Sequence, residues 1–334
     1  MTQIDYESQE AKIRAFEKGH RAVHVMNIGM QFGIFKALHR SSGGHTAADL
    51  AGELMLHEPY LKIWLQTAFH LDLLDWDRNG GFSLQPYMAE ILGIDLAAEP
   101  VVVNSGSSPL IRYIRTGVPA PFNRSPEESL ATSSATKSVY MVFLSYLLKK
   151  HNTMKQLMEK GIRFIDIGCG SGNLVIELAL AFPRSFFKGI DTDIYGIERA
   201  ESSALTLGLA ERVSFEDMAA EELTCHAEFD VACMVATLHE ILPSERAHAL
   251  EKVYQAVKPG GCMLILDFPY PEKLEEFRHP RYSIGIVEQY FEAPNGIIHL
   301  GAAEQNTLLE QAGFKEIQRS DINNGMFDFI MAVK

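Results

Sequence analysis

Basic charge is scarce in this chain of 334 residues: 30 lysines and arginines stand against 43 aspartates and glutamates, a formal net charge of −13. The deficit is local. Residues 1–150 carry 14 basic and 15 acidic side chains, whereas residues 151–334 carry 16 and 28. An acidic carboxyl-terminal half offers no attraction to a polyphosphate backbone, which argues against nucleic acid as its ligand. Cysteine is also sparse. The four present (169, 225, 233 and 262) show no paired spacing and read as reduced, small core residues. Long apolar runs are missing: Val139–Leu148 is the longest, with ten residues, and a membrane-spanning helix needs about twenty. The polar start Met1-Thr-Gln-Ile-Asp-Tyr-Glu does not read as a signal peptide, and no repeat or low-complexity tract occurs. These absences lead us to expect a cytoplasmic protein, long enough for two domains that each bury a core.

The most informative segment is Phe164-Ile-Asp-Ile-Gly-Cys-Gly-Ser-Gly-Asn-Leu174, a buried strand that runs into a glycine-rich turn and then a helix over Leu174–Ala181. Glycines at 168, 170 and 172 permit a tight bend and a ligand approach unobstructed by Cβ. The turn departs from a pyrophosphate cradle in two ways. Asp166 would repel a diphosphate but suits a ligand carrying an ammonium and a sulfonium. Asn173 stands where the dinucleotide fingerprint requires its third glycine.

The elements that follow agree with this. Phe186–Asp193 reads as a second strand ending in acids, and Asp191 lies 21 residues after Gly170, near the spacing of an acid that binds vicinal ribose hydroxyls. Arg212–Met218 reads as a third strand and Phe229–Glu240 as a fourth. A helix from Pro243, helix Leu250–Val257, a turn at Lys258–Gly261 and a fifth strand at Cys262–Asp267 come next. Leu308–Phe314 and Asp328–Val333 supply a final helix and an antiparallel end strand. Such alternation predicts a parallel sheet covered by helices on both faces, with ligands beyond the carboxyl ends of its strands. Asp166, Asp191, Asp217 and His239 all fall there.

On these residues, Asp166-Ile-Gly-Cys-Gly-Ser-Gly172 resembles the first motif of the class I S-adenosylmethionine-dependent methyltransferases. The resemblance implies an α/β, Rossmann-like, seven-stranded sheet and S-adenosylmethionine as co-substrate. It implies that Asp166, Gly168, Cys169 and Gly170 line the methionine half of the donor, Asp191 the ribose, and Asp217 with Met218 the adenine. Thr192 and Ala236 are expected among the remaining donor contacts.

In the amino-terminal half, Glu10–Arg40 places apolar residues at broadly helical spacing, with Gly29 and Gly33 marking breaks or close packing. Thr46 is an N-cap candidate for 47–54, and Pro59–Leu71 reads as a further amphipathic segment. Leu73–Leu84 reads as two short strands around an Asn-Gly-Gly turn. Three helices and a hairpin make a winged helix. A DNA reader would need a basic recognition helix, but His57–His70 holds one lysine, no arginine and one glutamate. Its apolar, aromatic surface suits burial against a partner. The order of winged helix and then methyltransferase sheet also resembles the plant-type small-molecule O-methyltransferases and their bacterial relatives. This implies a homodimer built through the amino-terminal domain, which also contributes to the substrate pocket. The expected divisions are a winged-helix dimerisation domain over 1–100, a helical linker bordering the pocket over 101–160, and a donor-binding domain over 161–334. Within the linker, the Ser/Thr-rich stretch 125–138 reads as a loop that enters a helix containing Tyr140, Met141, Phe143 and Tyr146.

Methyl transfer from a sulfonium requires alignment of the acceptor at about 3 Å and, for a hydroxyl, removal of its proton. His239, in Thr237-Leu-His-Glu-Ile241, is the candidate base. The plant-type segment reads Leu-His-Asp-Trp, so Glu240 and Ile241 depart from it. Asp267 aligns with the acid that orients this histidine in the family. A further family acid is replaced near His299 or Leu300. His20 and His24 stand i,i+4 on a helix with no evident third ligand, so no metal is expected. An insertion over Phe268–Gly296 carries Tyr270, Phe277, Arg278, Arg281, Tyr282, Tyr290 and Phe291. It is expected to roof a flat, apolar acceptor, with its arginines holding a carboxylate or pairing with Glu275 and Glu276. The resulting expectation is O-methylation of a small aromatic or polyketide-like molecule. Transfer to carbon or nitrogen, a non-methylating reaction, and a donor-sensing winged-helix regulator stay open.

Overall fold

The computed structural model describes residues 5–40, 43–77, 80–94, 109–120 and 124–334. The chain forms two compact units, Met1–Pro121 with Pro271–Gly296 and Phe122–Tyr270 with Ile297–Lys334.

The first unit contains α1 (Tyr6–Gln31), α2 (Ile34–Arg40), α3 (Ala47–Leu54) and α4 (Glu58–His70). The hairpin strands β1 (Leu74–Trp76) and β2 (Phe82–Leu84) follow, then the short helices α5 (Met88–Ile91) and α6 (Pro109–Thr116). Gly33 takes φ +69° and breaks α1 from α2. Gly29 serves close packing instead: an added Cβ would lie 2.5 Å from Phe35 and 2.6 Å from Trp64. Thr46 caps α3 in a reciprocal box with Asp49. The strands pair antiparallel, Asp75 opposite Ser83; Asn79 of the expected turn lies outside the described residues. His24 hydrogen-bonds with the Tyr290 hydroxyl at 3.2 Å.

The insertion 271–296 folds with this unit. The Arg278 guanidinium lies 4.1 Å from the Phe69 ring centroid and pairs with Asp72 and Asp75, not with Glu275 and Glu276. The Tyr60 hydroxyl donates to the Tyr290 carbonyl at 3.1 Å. These bonds tie α4 to the insertion's helix, Ser283–Glu292, so the apolar α4 is covered largely inside its own unit. The sequence pattern had suggested a partner for that face.

The second unit opens with α7 (Pro126–Ala135), α8 (Lys137–Lys150) and α9 (Asn152–Lys160). Phe143 and Leu147 of α8 enter the same core as Phe164 and Leu174, so these helices belong to the sheet unit and do not form a separate linker. The sheet strands are β3 (Arg163–Ile167), β4 (Phe186–Asp191), β5 (Val213–Asp217), β6 (Phe229–Val235), β7 (Val257–Asp267), β8 (Lys315–Ile322) and β9 (Phe327–Val333). Their order is β5-β4-β3-β6-β7-β9-β8, with β9 antiparallel to both neighbours. Helices α10 (Asn173–Ala181), α11 (Ile194–Thr206) and α12 (Arg246–Ala256) cross between parallel strands; with Ser283–Glu292 counted as α13, α14 (Ala302–Ala312) precedes β8. Two boundaries differ from the sequence pattern. The helix expected from Pro243 starts at Arg246, after a turn, and Lys258–Gly261 forms a bulge within β7, where Gly260 takes φ +77°.

Side chains alternate across the sheet with period two. Phe164, Val231, Cys233, Leu264 and Leu266 face the core under α8, α10 and α11. Ile165, Ile167, Ala232, Met234, Met263 and Ile265 face the core under α12 and α14. Burial on both faces explains why these strands read as nearly continuous apolar runs. Adjacent β3 and β6 carry crossovers in opposite directions, so a crevice opens beyond their carboxyl ends. No described helix is long and apolar enough to cross a membrane.

Candidate active site

The glycine turn after β3 is pinned from below. The Gly168 and Cys169 N–H groups both donate to the Ile190 carbonyl, at 2.8 and 3.0 Å. Asp191, at the end of β4, accepts from the Gly170 N–H at 2.7 Å and the Asp193 N–H at 2.8 Å. Gly168 takes φ +74°, and a Cβ there would lie 2.3 Å from Thr237, so the turn packs directly on the loop after β6. At Gly170 a Cβ would meet nothing within 4 Å. Backbone therefore lines a cleft at this point, with room for a ligand.

That cleft is open to solvent and encloses about 670 Å³ between its walls, the solvent space included. Asp166, Gly168, Cys169, Gly170, Asp191 and Ala236 line it. Thr192, Asp217 and Met218 do not. Thr192 and Asp217 are exposed, Asp217 pairs in register with Asp191, and the Met218 N–H donates to the Asp191 carbonyl at 3.0 Å. These three sit at the same strand-end rim, outside the lining.

The opposite wall was not legible as such. The stretch 125–138 is mostly helix, α7, and Ser129, Thr132, Ser133 and Thr136 recur at helical spacing toward the cleft. The start signal was present: Ser125 and Glu128 form a capping box, with Pro126 at the first helical position. Ser129 is buried, donates to the Asp193 carboxylate and accepts from the Arg199 guanidinium. Arg124 and Glu240 pair at 3.4 Å and line the same cleft.

Asp166 is 2% exposed. Burial raises its carboxyl to about 7, the Cys233 thiol opposes this by donating at 3.1 Å, and the Asp191 charge raises it further. Burial also pushes the Cys169 thiol well above its ordinary value.

His239 and Asp267 lie close by and both are buried. His239 Nδ1 is 2.5 Å from Asp267 Oδ1, which also accepts from the Phe268 N–H at 2.8 Å. Burial pushes the Asp267 carboxyl up, but the His239 charge and hydrogen bond, with His299 and the Phe268 N–H, outweigh it and hold it below its ordinary value. His239 does not line the cleft, although Thr237 and Glu240 on either side do. The His299 ring stacks on His239, centroids 4.3 Å apart and planes 27° from parallel. Arg246 had no sequence signal. Its buried guanidinium donates to the carbonyls of Ile241 and His239, each at 2.9 Å, and to that of Ile298. It thereby pins the segments carrying both histidines, while burial lowers it to about 10.

S-Adenosylmethionine fits these residues. Four carboxyls, Asp166, Asp191, Asp193 and the Arg124-paired Glu240, line a cleft floored by glycine backbone, and Asp193 Oδ1 is buried with no hydrogen-bond partner among the described residues. A diphosphate would be repelled here, whereas ammonium, sulfonium and ribose hydroxyls find acceptors.

Residues 158–326 match the model of a methyltransferase domain family. The chain is 28% identical over 171 residues to 27-O-demethylrifamycin SV methyltransferase of Amycolatopsis mediterranei, an alignment spanning 50% of this chain and 58% of that protein. It is 25% identical over 205 residues to carboxy-S-adenosyl-L-methionine synthase of Wolinella succinogenes, across 55% of this chain and 81% of the relative. An O-methyltransferase family 2 protein from Planctomyces limnophilus, solved in complex with apigenin, superposes with a TM-score of 0.71 at 16% identity, covering 97% of this chain and 95% of the other. At that identity the likeness is one of fold. The matched domain spans the glycine turn, the strand-end acids and the His239–Asp267 pair, and the chain belongs to the methyltransferase domain family as a class I S-adenosylmethionine-dependent methyltransferase.

Proposed function

We propose that this chain methylates an oxygen of a small, flat, aromatic or polyketide-like acceptor, with His239 as the base and Asp267 as the acid that orients it. The observation that carries this reading is the buried 2.5 Å contact between His239 Nδ1 and Asp267 Oδ1, beyond the carboxyl ends of β6 and β7. A carboxylate can only accept, so the Nδ1 proton is committed to Asp267 and Nε2 keeps its lone pair. S-Adenosylmethionine, when bound, supplies a methyl group on a positively charged sulfur that is already a good leaving group. His239 takes the acceptor's hydroxyl proton at Nε2, a contribution of about 10²–10⁴ in rate. Asp267 stabilises the imidazolium that results. On the donor side, Asp166 in its ionised form accepts from the ammonium. The relative's name, which specifies an O-linked position on a rifamycin, and the neighbour's complex with apigenin support an oxygen acceptor on a polyketide-like or flat ring. His239→Ala should lower kcat by at least 10²-fold and leave the affinity for S-adenosylhomocysteine within threefold. Wild-type turnover in that variant removes the base.

The same reading includes a homodimer. On α1 the outward side chains Tyr6 (80% exposed), Ile13 (54%), Phe16 (62%) and Val23 (40%) form an apolar series, whereas α4 is covered inside its own unit. Light scattering should give twice the chain's 37.3 kDa, and a monomer at micromolar concentration rejects it.

A second reading is a different transfer from the same donor. The likeness to a carboxy-S-adenosylmethionine synthase and the departure at His299 favour it. Mass spectrometry of products formed from methyl-labelled donor separates the two.

A further inference from the structure

Asp193 is the N-cap residue of α11, yet its side chain makes no capping hydrogen bond. Aspartate at this position normally accepts from an N–H in the first turn, worth about 1 kcal/mol. Here the carboxylate turns to the donor cleft, which it lines. It is 8% exposed. Oδ2 accepts from the Ser129 hydroxyl on α7, and Oδ1 finds no hydrogen-bond partner among the described residues. A buried carboxylate oxygen left unpaired costs about 1–3 kcal/mol or more, so an arrangement that turns it from its cap is explained by a ligand that donates to it.

The neighbouring acid shows which part of the ligand this is. Asp191 stands where the ribose acid belongs, but each of its oxygens already accepts a backbone N–H, from Gly170 and from Asp193. Each oxygen keeps one further lone-pair site for the diol, and shares it with a backbone donor already in place. Asp193, two residues on and fixed to Asp191 through its own N–H, supplies an unclaimed oxygen at the same rim. The Ser129 hydroxyl, which accepts from Arg199 while donating to Asp193, holds the carboxylate in place.

We propose that Asp193 is a second donor-binding acid, its Oδ1 accepting a hydrogen bond from one ribose hydroxyl of S-adenosylmethionine. This deepens the donor-site assignment and rests on it. The reading concerns an acid to which the sequence pattern assigns no donor contact, and it makes recognition of the vicinal diol the shared work of Asp191 and Asp193.

Calorimetric titration of wild type, Asp193→Asn and Asp193→Ser with S-adenosylhomocysteine and with its 2′-deoxy and 3′-deoxy analogues tests it. Serine is an effective cap, so α11 is retained even where the asparagine variant folds poorly. Both variants should bind S-adenosylhomocysteine about tenfold more weakly than wild type. One deoxy analogue should bind wild type about tenfold more weakly than the parent, and that penalty should vanish in both variants. Unchanged affinity in the variants overturns the assignment, because Asp193 then meets only Ser129 and solvent. Equal weakening for the parent and both deoxy analogues also overturns it, in favour of the adenine amino group or a purely structural role. A wild-type protein that binds none of the three ligands rejects the donor site itself, an outcome distinct from the other two.

Discussion

Replacing Asp267 with asparagine removes one charge from the centre of the proposed machinery and almost no volume. Oδ1 receives two donors, the His239 Nδ1–H and the Phe268 N–H, and Oδ2 is buried with no hydrogen-bond partner among the described residues. An asparagine that keeps its carbonyl toward both donors buries its amide at the Oδ2 position, at a cost of about 1–3 kcal/mol. An asparagine that flips points an amide N–H at Nδ1, which forces the ring proton to Nε2 and removes the lone pair that takes the acceptor's proton. In the first case the imidazolium loses a charge-assisted hydrogen bond of about 1.5–3 kcal/mol, or about 10–150-fold in rate. In the second the base is in the wrong tautomer, a change worth about 10⁴ in a serine protease triad. Asp267→Asn should therefore lower kcat by about 10²–10³-fold, with S-adenosylhomocysteine affinity within threefold of wild type. Single-turnover kinetics with saturating donor, beside calorimetry, reads both quantities. A kcat within threefold of wild type refutes the orienting role, and a parallel loss of donor affinity refutes the separation of donor site from base.

Asp166 makes the ligand-free protein pH-sensitive. Its carboxyl is raised to about 7 in the folded state, against an ordinary 3.8, so its protonated form is the one folding favours. Its contribution to stability is complete below about pH 4 and is lost as pH rises toward 7, by up to a few kcal/mol, on the order of 1.4 per pH unit. Chemical denaturation of Asp166→Asn should lose this slope. Donor affinity should move the other way, rising through pH 7 as the carboxylate forms, and a flat calorimetric profile between pH 6 and 8 contradicts the ammonium contact. Gly168→Ala combines a left-handed backbone with a Cβ 2.3 Å from Thr237, and should cost about 2–5 kcal/mol from strain plus overpacking. A melting temperature within two degrees of wild type, on the order of 1 kcal/mol, rejects that packing. Arg246→Met leaves three carbonyls without their guanidinium donor and should destabilise by about 2–5 kcal/mol and lower kcat with little effect on donor affinity. Undiminished kcat at a temperature where the variant is folded rejects its positioning role.

The glycine turn and the strands were legible because their signals are local. Asp166-Ile-Gly-Cys-Gly-Ser-Gly172 needs its glycines for its own backbone, with φ of +74°, +53° and +69° at 168, 170 and 172. The runs Phe164–Ile167 and Phe229–Val235 are apolar because both faces are covered. The His239–Asp267 pair came from the family resemblance, and its contact is set by the register that aligns β6 with β7. What the sequence concealed depends on tertiary neighbours. Ser129, Thr132, Ser133 and Thr136 are a polar stripe on α7, and hydroxyls in a row look like a loop until the cleft they face is known. Arg246 reads as an ordinary helix-start arginine, since its acceptors are backbone carbonyls, two in the irregular loop just before it and one on the remote Ile298. The apolar α4 suggested an external partner because Tyr290 and Phe277, which cover it, come from an insertion about 200 residues further along the chain.

The claim that supports all others is that the crevice between β3 and β6 receives an adenosyl sulfonium compound. Titrating the purified protein calorimetrically with S-adenosylhomocysteine, in parallel with a nicotinamide dinucleotide, addresses it directly. One saturable site per chain for the first and no heat for the second is the predicted outcome. Saturable binding of the dinucleotide with none of S-adenosylhomocysteine contradicts it.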